Sequence, residues 1–188
     1  IVIGILLILA CVTWLGKVLQ QVLVGRAKEL LHKALGRGPL TGITSGALVT
    51  IMVQSSSTTT SLMIPLAGGG VFSTRQLYPF TLGANIGTTI TAILAALGQP
   101  QDAKRTAAAH CCFNLSGSVV CLLALPWMTK LVEAVSPKGP ELEIIARQIA
   151  NAHTLFNLGC TVLWLPLTPC MVRIVCILLP EKHAPELK

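Results

Sequence analysis

Residues 54–61 read QSSSTTTS, eight uncharged polar side chains in succession between the apolar runs LVTIMV and LMIPLA. Hydroxyl and amide oxygens are donors for a hard cation such as Na⁺. Their O–H and N–H groups, with the backbone amides of a helix start, suit an anion. A second stretch, GANIGTT at 83–89, places Asn85, Thr88 and Thr89 around Gly83 and Gly87, with Thr91 following. The chain has no acidic residue between Glu29 and Asp102, and Arg75 is the only Lys or Arg between Arg37 and Lys104. A site made from the two stretches therefore carries no formal charge. A lone cation in it would be uncompensated, and an oxyanion beside it would neutralise it. Each ion then raises the affinity for the other, which is the thermodynamic requirement of symport.

The surroundings that must hold these residues are apolar. Of 188 residues, 53% are hydrophobic and 11% charged, against roughly 25% charged in ordinary soluble domains. Mean hydropathy is +0.73. The composition predicts an all-α integral membrane protein, in which every polar group needs an internal partner. One or two Ser or Thr residues would make a helix-packing seam. Eight in a row cover every side of a helix and point to a cavity or a ligand. The formal charge of +7 comes from basic residues grouped in candidate loops, without the interleaved aromatics of a nucleic-acid surface, and fits loops held on the cytoplasmic side. The seven cysteines are odd in number, lie mostly in apolar runs and form no CxxC pair, so they read as small buried residues and not as a disulfide framework.

The order of elements follows from length and breakers. Residues 1–16 read as a transmembrane helix, and 17–37 as a basic amphipathic helix on the membrane surface. Because the chain opens on Ile1, further residues are expected upstream. The apolar run 40–53 is about 21 Å as a helix, too short to span. With the polar run and the short arm that ends at Gly68, it predicts a re-entrant helical hairpin over 40–70; a single broken helix over 40–67 is the alternative. Residues 78–97 have spanning length with a soft centre, and Gly83-x-Asn85-x-Gly87 predicts local unwinding, a broken transmembrane helix. Close packing at the small-xxx-small spacing is the competing account. Residues 107–130 and 149–179 are two further transmembrane helices. Together these make one transmembrane repeat domain, 1–188.

Residues 109–137 align without gaps on 152–180 at an offset of 43. Ala109, His110, Phe113, Asn114 and Leu115 match Ala152, His153, Phe156, Asn157 and Leu158, and Pro126 and Pro137 match Pro169 and Pro180. This reads as an internal duplication. His110 and His153 are candidates for an ion or proton ligand and equally for satisfied packing residues. Asn114 heads an N-L-S sequon inside an apolar span, where no sugar can be added.

Taken in order, QSSS at 54–57, GANIGTT at 83–89 and HCCFN at 110–114 resemble the type II sodium-phosphate cotransporters and their bacterial relatives, over about residues 40–120. The resemblance implies two inverted repeats, each with one QSSS, meeting at the transport site. It implies that Gln54, Ser55, Ser56, Ser57 and Asn85 bind phosphate. It further implies that Gln54, Ser55, Thr58, Thr59, Asn85, Thr88 and Thr89 bind Na⁺. The chain departs from the pattern in having one QSSS, so it represents half of such a transporter, completed by a second repeat or by a second copy in an antiparallel homodimer. The function implied is Na⁺-coupled symport of inorganic phosphate by alternating access at an uncharged midplane site. No cofactor is implied beyond the coupling Na⁺, no nucleic-acid partner, no enzymatic activity, and a multi-pass position in the cell membrane, for a bacterial member the inner one. An ion or anion channel is a different class, distinguished by non-saturating, Na⁺-independent flux. An intramembrane serine hydrolase is another, and lacks a G-x-S-x-G elbow and a group to orient its histidine.

Overall fold

The computed structural model describes residues 2–7, 10–11, 14, 38–68 and 73–181. Among them the regular structure is entirely helical: α1 (Pro39–Val53), α2 (Ser56–Gly68), α3 (Thr74–Ala95), α4 (Gln101–Leu123), α5 (Leu125–Ala134), α6 (Glu141–Trp164) and α7 (Thr168–Leu178). The described residues of the expected 1–16 span are helical and exposed. The expected surface helix at 17–37 lies outside the described residues.

α1 and α3 form the closest pair, and small residues make it possible. Gly42, Gly46 and Thr50 are the buried residues of α1, spaced four apart on one face. A Cβ on Gly46 would strike the Phe80 carbonyl, and one on Gly83 would strike the Ile43 carbonyl. A Cβ on Gly87 would lie 2.8 Å from the Thr50 Cβ. The pairs 42 with 79, 46 with 80–84 and 50 with 87 rise together, so the two helices run parallel.

That parallel register fixes the direction of α2. The helix leaves from the end of α1, yet α3 begins beside the start of α1, where Gly42 meets Pro79. Residues 69–73 reach roughly 20 Å fully extended. If α2 ran onward from α1, a gap of roughly 40 Å would open. α2 therefore turns back, and its Met63 and Ala67 pack with Leu77 and Phe80 at the start of α3. Ile145 and Ile149 of α6 complete that cluster.

The other half of the molecule shows the 43-residue repeat in three dimensions. α4 breaks at Ala124 (φ −93°, ψ 12°), and α6 gives way to α7 at Leu167 (φ −93°, ψ 9°), the equivalent position. Proline in the first turn of α5 and of α7 supplies the cause, since it cannot continue the preceding helix. α6 and α7 are bent by 86°. Asn114 Nδ2 donates to the His110 carbonyl at 3.1 Å, and Asn157 Nδ2 to the His153 carbonyl at 2.8 Å. The two units run in opposite directions. Ser118 Oγ donates to the Leu82 carbonyl at 3.3 Å in the α3–α4 pair that a short turn joins head to tail, whereas Phe156 and Cys160 follow Ile145 and Ile149 along α3 in its own direction. Each short helix ends on a side chain of the other unit's long helix. Asn151 Nδ2 donates to the Val135 carbonyl and Ser136 Oγ, and Gln101 Nε2 donates to the carbonyls of Leu179 and Pro180.

Two expectations are corrected. The expected spans at 107–130 and 149–179 are each two helices with a break, for the proline reason above. Residues 78–97 are not broken: α3 is one continuous helix of 22 residues through Gly83–Thr89, because its glycines are used for packing on α1. Among the described residues α4 alone is long and apolar enough to cross a bilayer by itself, and α6 with α7 reaches that standard jointly. The surface is rich in exposed apolar side chains, including Met52, Leu123, Trp127 and Ile177.

Candidate ion-binding site

The run at 54–61 does what the uninterrupted α3 does not. α1 ends where Gln54 enters the left-handed region (φ 60°, ψ 22°), its N–H donating to the Thr50 carbonyl at 2.6 Å. Gln54 is the only non-glycine residue with positive φ among the described residues. That conformation costs a side-chain-bearing residue about 1–2 kcal/mol, and such strain gathers at functional positions. Ser55 then starts the next helix. Its Oγ accepts from the Thr58 N–H at 3.2 Å and from the Thr58 hydroxyl at 3.0 Å, an N-cap on α2. Its carbonyl accepts the Thr59 N–H at 3.0 Å.

Two opposite helix ends therefore meet within two residues. The last carbonyls of α1 present the negative end of its dipole, and the first N–H groups of α2, at Ser56 and Ser57, precede any partner within their own helix. One end suits a cation and the other an anion, side by side and without a formal charge. Gln54, Ser57 and Thr58 are exposed, and Ser55 and Ser56 partly so.

Behind this tip lie buried hydroxyls without partners. Thr50, Thr59 and Thr60 are at 0%, 0% and 5% exposure, and their Oγ1 atoms make no hydrogen bond. A helical threonine can bond to the carbonyl one turn back, and these do not. Thr50 and Thr60 are not among the candidate residues that the motif reading named. The available signal was spacing: Thr50 continues the Gly42–Gly46 face and precedes Gln54 by four.

The residues of α3 are placed differently. Asn85 is buried, and its Nδ2 has no partner. It stands about 200° round the helix from both Gly83 and Gly87, which face α1, so the backbone of α3 lies between Asn85 and α1. The Ser118–Leu82 contact puts it level with Asn114 of α4. Thr88 and Thr89 donate to the carbonyls of Ala84 at 3.0 Å and Ile86 at 2.8 Å, and Thr91 to Thr88 at 2.8 Å. The structure thus gathers Gln54–Thr60 at one turn and leaves Asn85 on another face. Of the two motif histidines, His153 has a buried Nε2 without a partner, on the helix that packs against α2.

A helical chain whose turn joins a carbonyl-rich helix end to an amide-rich helix start matches the Na⁺/Pi-cotransporter family over residues 7–151, and it belongs to that family. The resemblance read from QSSS, GANIGTT and HCCFN is thereby borne out. The chain is 41% identical over 130 residues to the human sodium-dependent phosphate transport protein 2B, 43% over 128 residues to the rat 2B protein and 42% over 124 residues to the sheep 2A protein. These alignments cover 62%, 61% and 59% of this chain but 19%, 18% and 19% of the relatives, so it spans about a fifth of the length of the curated relatives it matches. No solved structure matches it. The family is one of membrane transporters and not of enzymes.

Proposed function

We propose that this chain forms one repeat of a Na⁺-coupled transporter of inorganic phosphate. The observation that carries the proposal is the meeting of two helix ends at Gln54–Ser55, backed by the unpartnered hydroxyls of Thr50, Thr59 and Thr60. Phosphate sits on the Ser56 and Ser57 N–H groups with the hydroxyls of Ser55, Ser56 and Ser57 and the amide of Gln54. Na⁺ takes the terminal carbonyls of α1 with the Ser55 carbonyl and oxygens of Gln54, Thr58 and Thr59. Thr88 and Thr89 keep oxygen lone pairs for a cation while their hydrogens stay on α3. Asn85 serves from the α4 side and not at the turn.

In this reading α1 and α2 form a re-entrant hairpin that enters and leaves on one side of a multi-pass membrane protein, with its tip near the midplane. A second QSSS, from another repeat or from an antiparallel second copy, closes the site, which explains why the polar tip is exposed in the single chain. Rocking of one repeat against the other alternates access. The relatives named above are mammalian, and nothing in them favours a bacterial inner membrane over another.

The test is radiolabelled phosphate uptake into proteoliposomes, driven by a Na⁺ gradient and then by a K⁺ gradient. Uptake is expected with Na⁺ alone, and Ser56→Ala, which leaves the Ser55 cap intact, is expected to lower it at least about tenfold. Equal uptake in K⁺, or full uptake by a folded Ser56→Ala variant, overturns the proposal.

A further inference from the structure

At the other end of α1, about 22 Å from the turn, a cavity of about 600 Å³ opens between the starts of α1 and α3 and the helix α5. Its walls are largely apolar, with Pro39, Pro79, Leu125 and Pro126 among them. Its charges are Arg75 on α3, and Lys130 and Glu133 on α5. All three are exposed, and none joins an ion pair among the described residues, where Arg105–Asp102 is the only one. Two unpaired cations and one carboxylate leave a rim of net +1 over an apolar floor.

We infer that this cavity binds the headgroup of an anionic phospholipid. A phosphodiester carries one negative charge, which matches the rim, and the apolar walls accept the first part of an acyl chain. The neighbouring residue, Trp127, is 70% exposed, and an exposed indole beside a lysine marks the membrane–water boundary. Bound there, the lipid ties α5 to the start of α3, because its headgroup reaches Arg75 on α3 and Lys130 on α5 together. This inference rests on membrane placement and not on the transport reading, and it concerns the end of α1 away from the ion site.

Native mass spectrometry of the purified full chain, after exchange from mixed phosphatidylglycerol and phosphatidylcholine micelles, measures it. Each cation near an anionic lipid is worth roughly fivefold. Phosphatidylglycerol is therefore expected to be retained over phosphatidylcholine, and Arg75→Gln with Lys130→Gln, which leave only the Glu133 carboxylate, to abolish or reverse that preference. Glu133→Gln, a surface change, is expected to raise phosphatidylglycerol retention and serves if the double variant does not fold. Inorganic phosphate added in excess is expected to leave the lipid in place. Parity in the unaltered chain, insensitivity of the preference to these variants, displacement by inorganic phosphate, or a lipid-free dimer in place of the lipid adduct would each overturn the inference.

Discussion

The runs 54–61 and 83–91 both place threonines and an amide side chain in apolar sequence, and they have opposite fates. The first adds serines and the second adds glycines, and both invite a break. Only the first breaks. In α3 the threonines of 88, 89 and 91 each bond to a carbonyl of their own helix, and Gly83 and Gly87 bring the backbone against α1. The three threonine hydroxyls are settled within the helix, the Asn85 amide nitrogen is not, and the tight seam with α1 favours the regular helix. In 54–61 Ser55 spends its oxygen on the cap of a new helix, Gln54 adopts a left-handed conformation, and Thr59 and Thr60 stay unpaired. Polar content alone does not open a helix. What separates the runs is whether a neighbouring helix holds the backbone straight.

The largest effect should come from putting bulk into the straight run. Gly83→Leu must push apart backbones already in contact at Ile43, and overpacking typically costs 1–3 kcal/mol or more. Thermal unfolding in detergent should show the largest loss of all these variants, with aggregation. A normal unfolding temperature would mean that the seam does not hold α3 straight. Ser55→Ala comes next: losing the cap should lower stability by about 1 kcal/mol and also reduce Na⁺-dependent uptake. Unchanged stability would remove the cap from the explanation of the break.

Gln54→Gly sharpens the comparison, because its two readouts should move in opposite directions. Relief of the left-handed strain should stabilise the fold by up to about 1 kcal/mol, while phosphate uptake falls because the amide is lost. Undiminished uptake would reduce Gln54 to a turn residue. The smallest effect is expected for Thr88→Val, within about 0.5 kcal/mol in stability, with at most a modest rise in the Na⁺ concentration needed for half-maximal uptake. Loss of uptake as complete as for Ser56→Ala would make Thr88 as essential as the residues of the turn and erase the distinction between the runs.

Much of the helical order was legible in the chain. The break near Gln54 followed from an apolar run too short to span, and the repeat of 109–137 at 152–180 followed from residue identity. The proline breaks inside both units were not read, although Pro126 and Pro169 align, because hydropathy across them is continuous. The pairing of Gly42, Gly46 and Thr50 with Gly83 and Gly87 was not legible. Spacing shows that a face is small, but not which helix fills it. The face that Asn85 occupies was not legible either: two residues from both Gly83 and Gly87, it lies on the opposite side of the helix from them.

The sequence by itself determined the chemistry available, a charge-free set of hydroxyls and one amide in an apolar chain, because composition and local spacing depend only on neighbours along the chain. It also determined family membership, carried by the ordered motifs. The tertiary structure alone decided which hydroxyls go unpaired, that α2 doubles back, and that α3 stays whole. Those outcomes depend on how closely backbones from distant segments approach, and that is set by packing across the molecule.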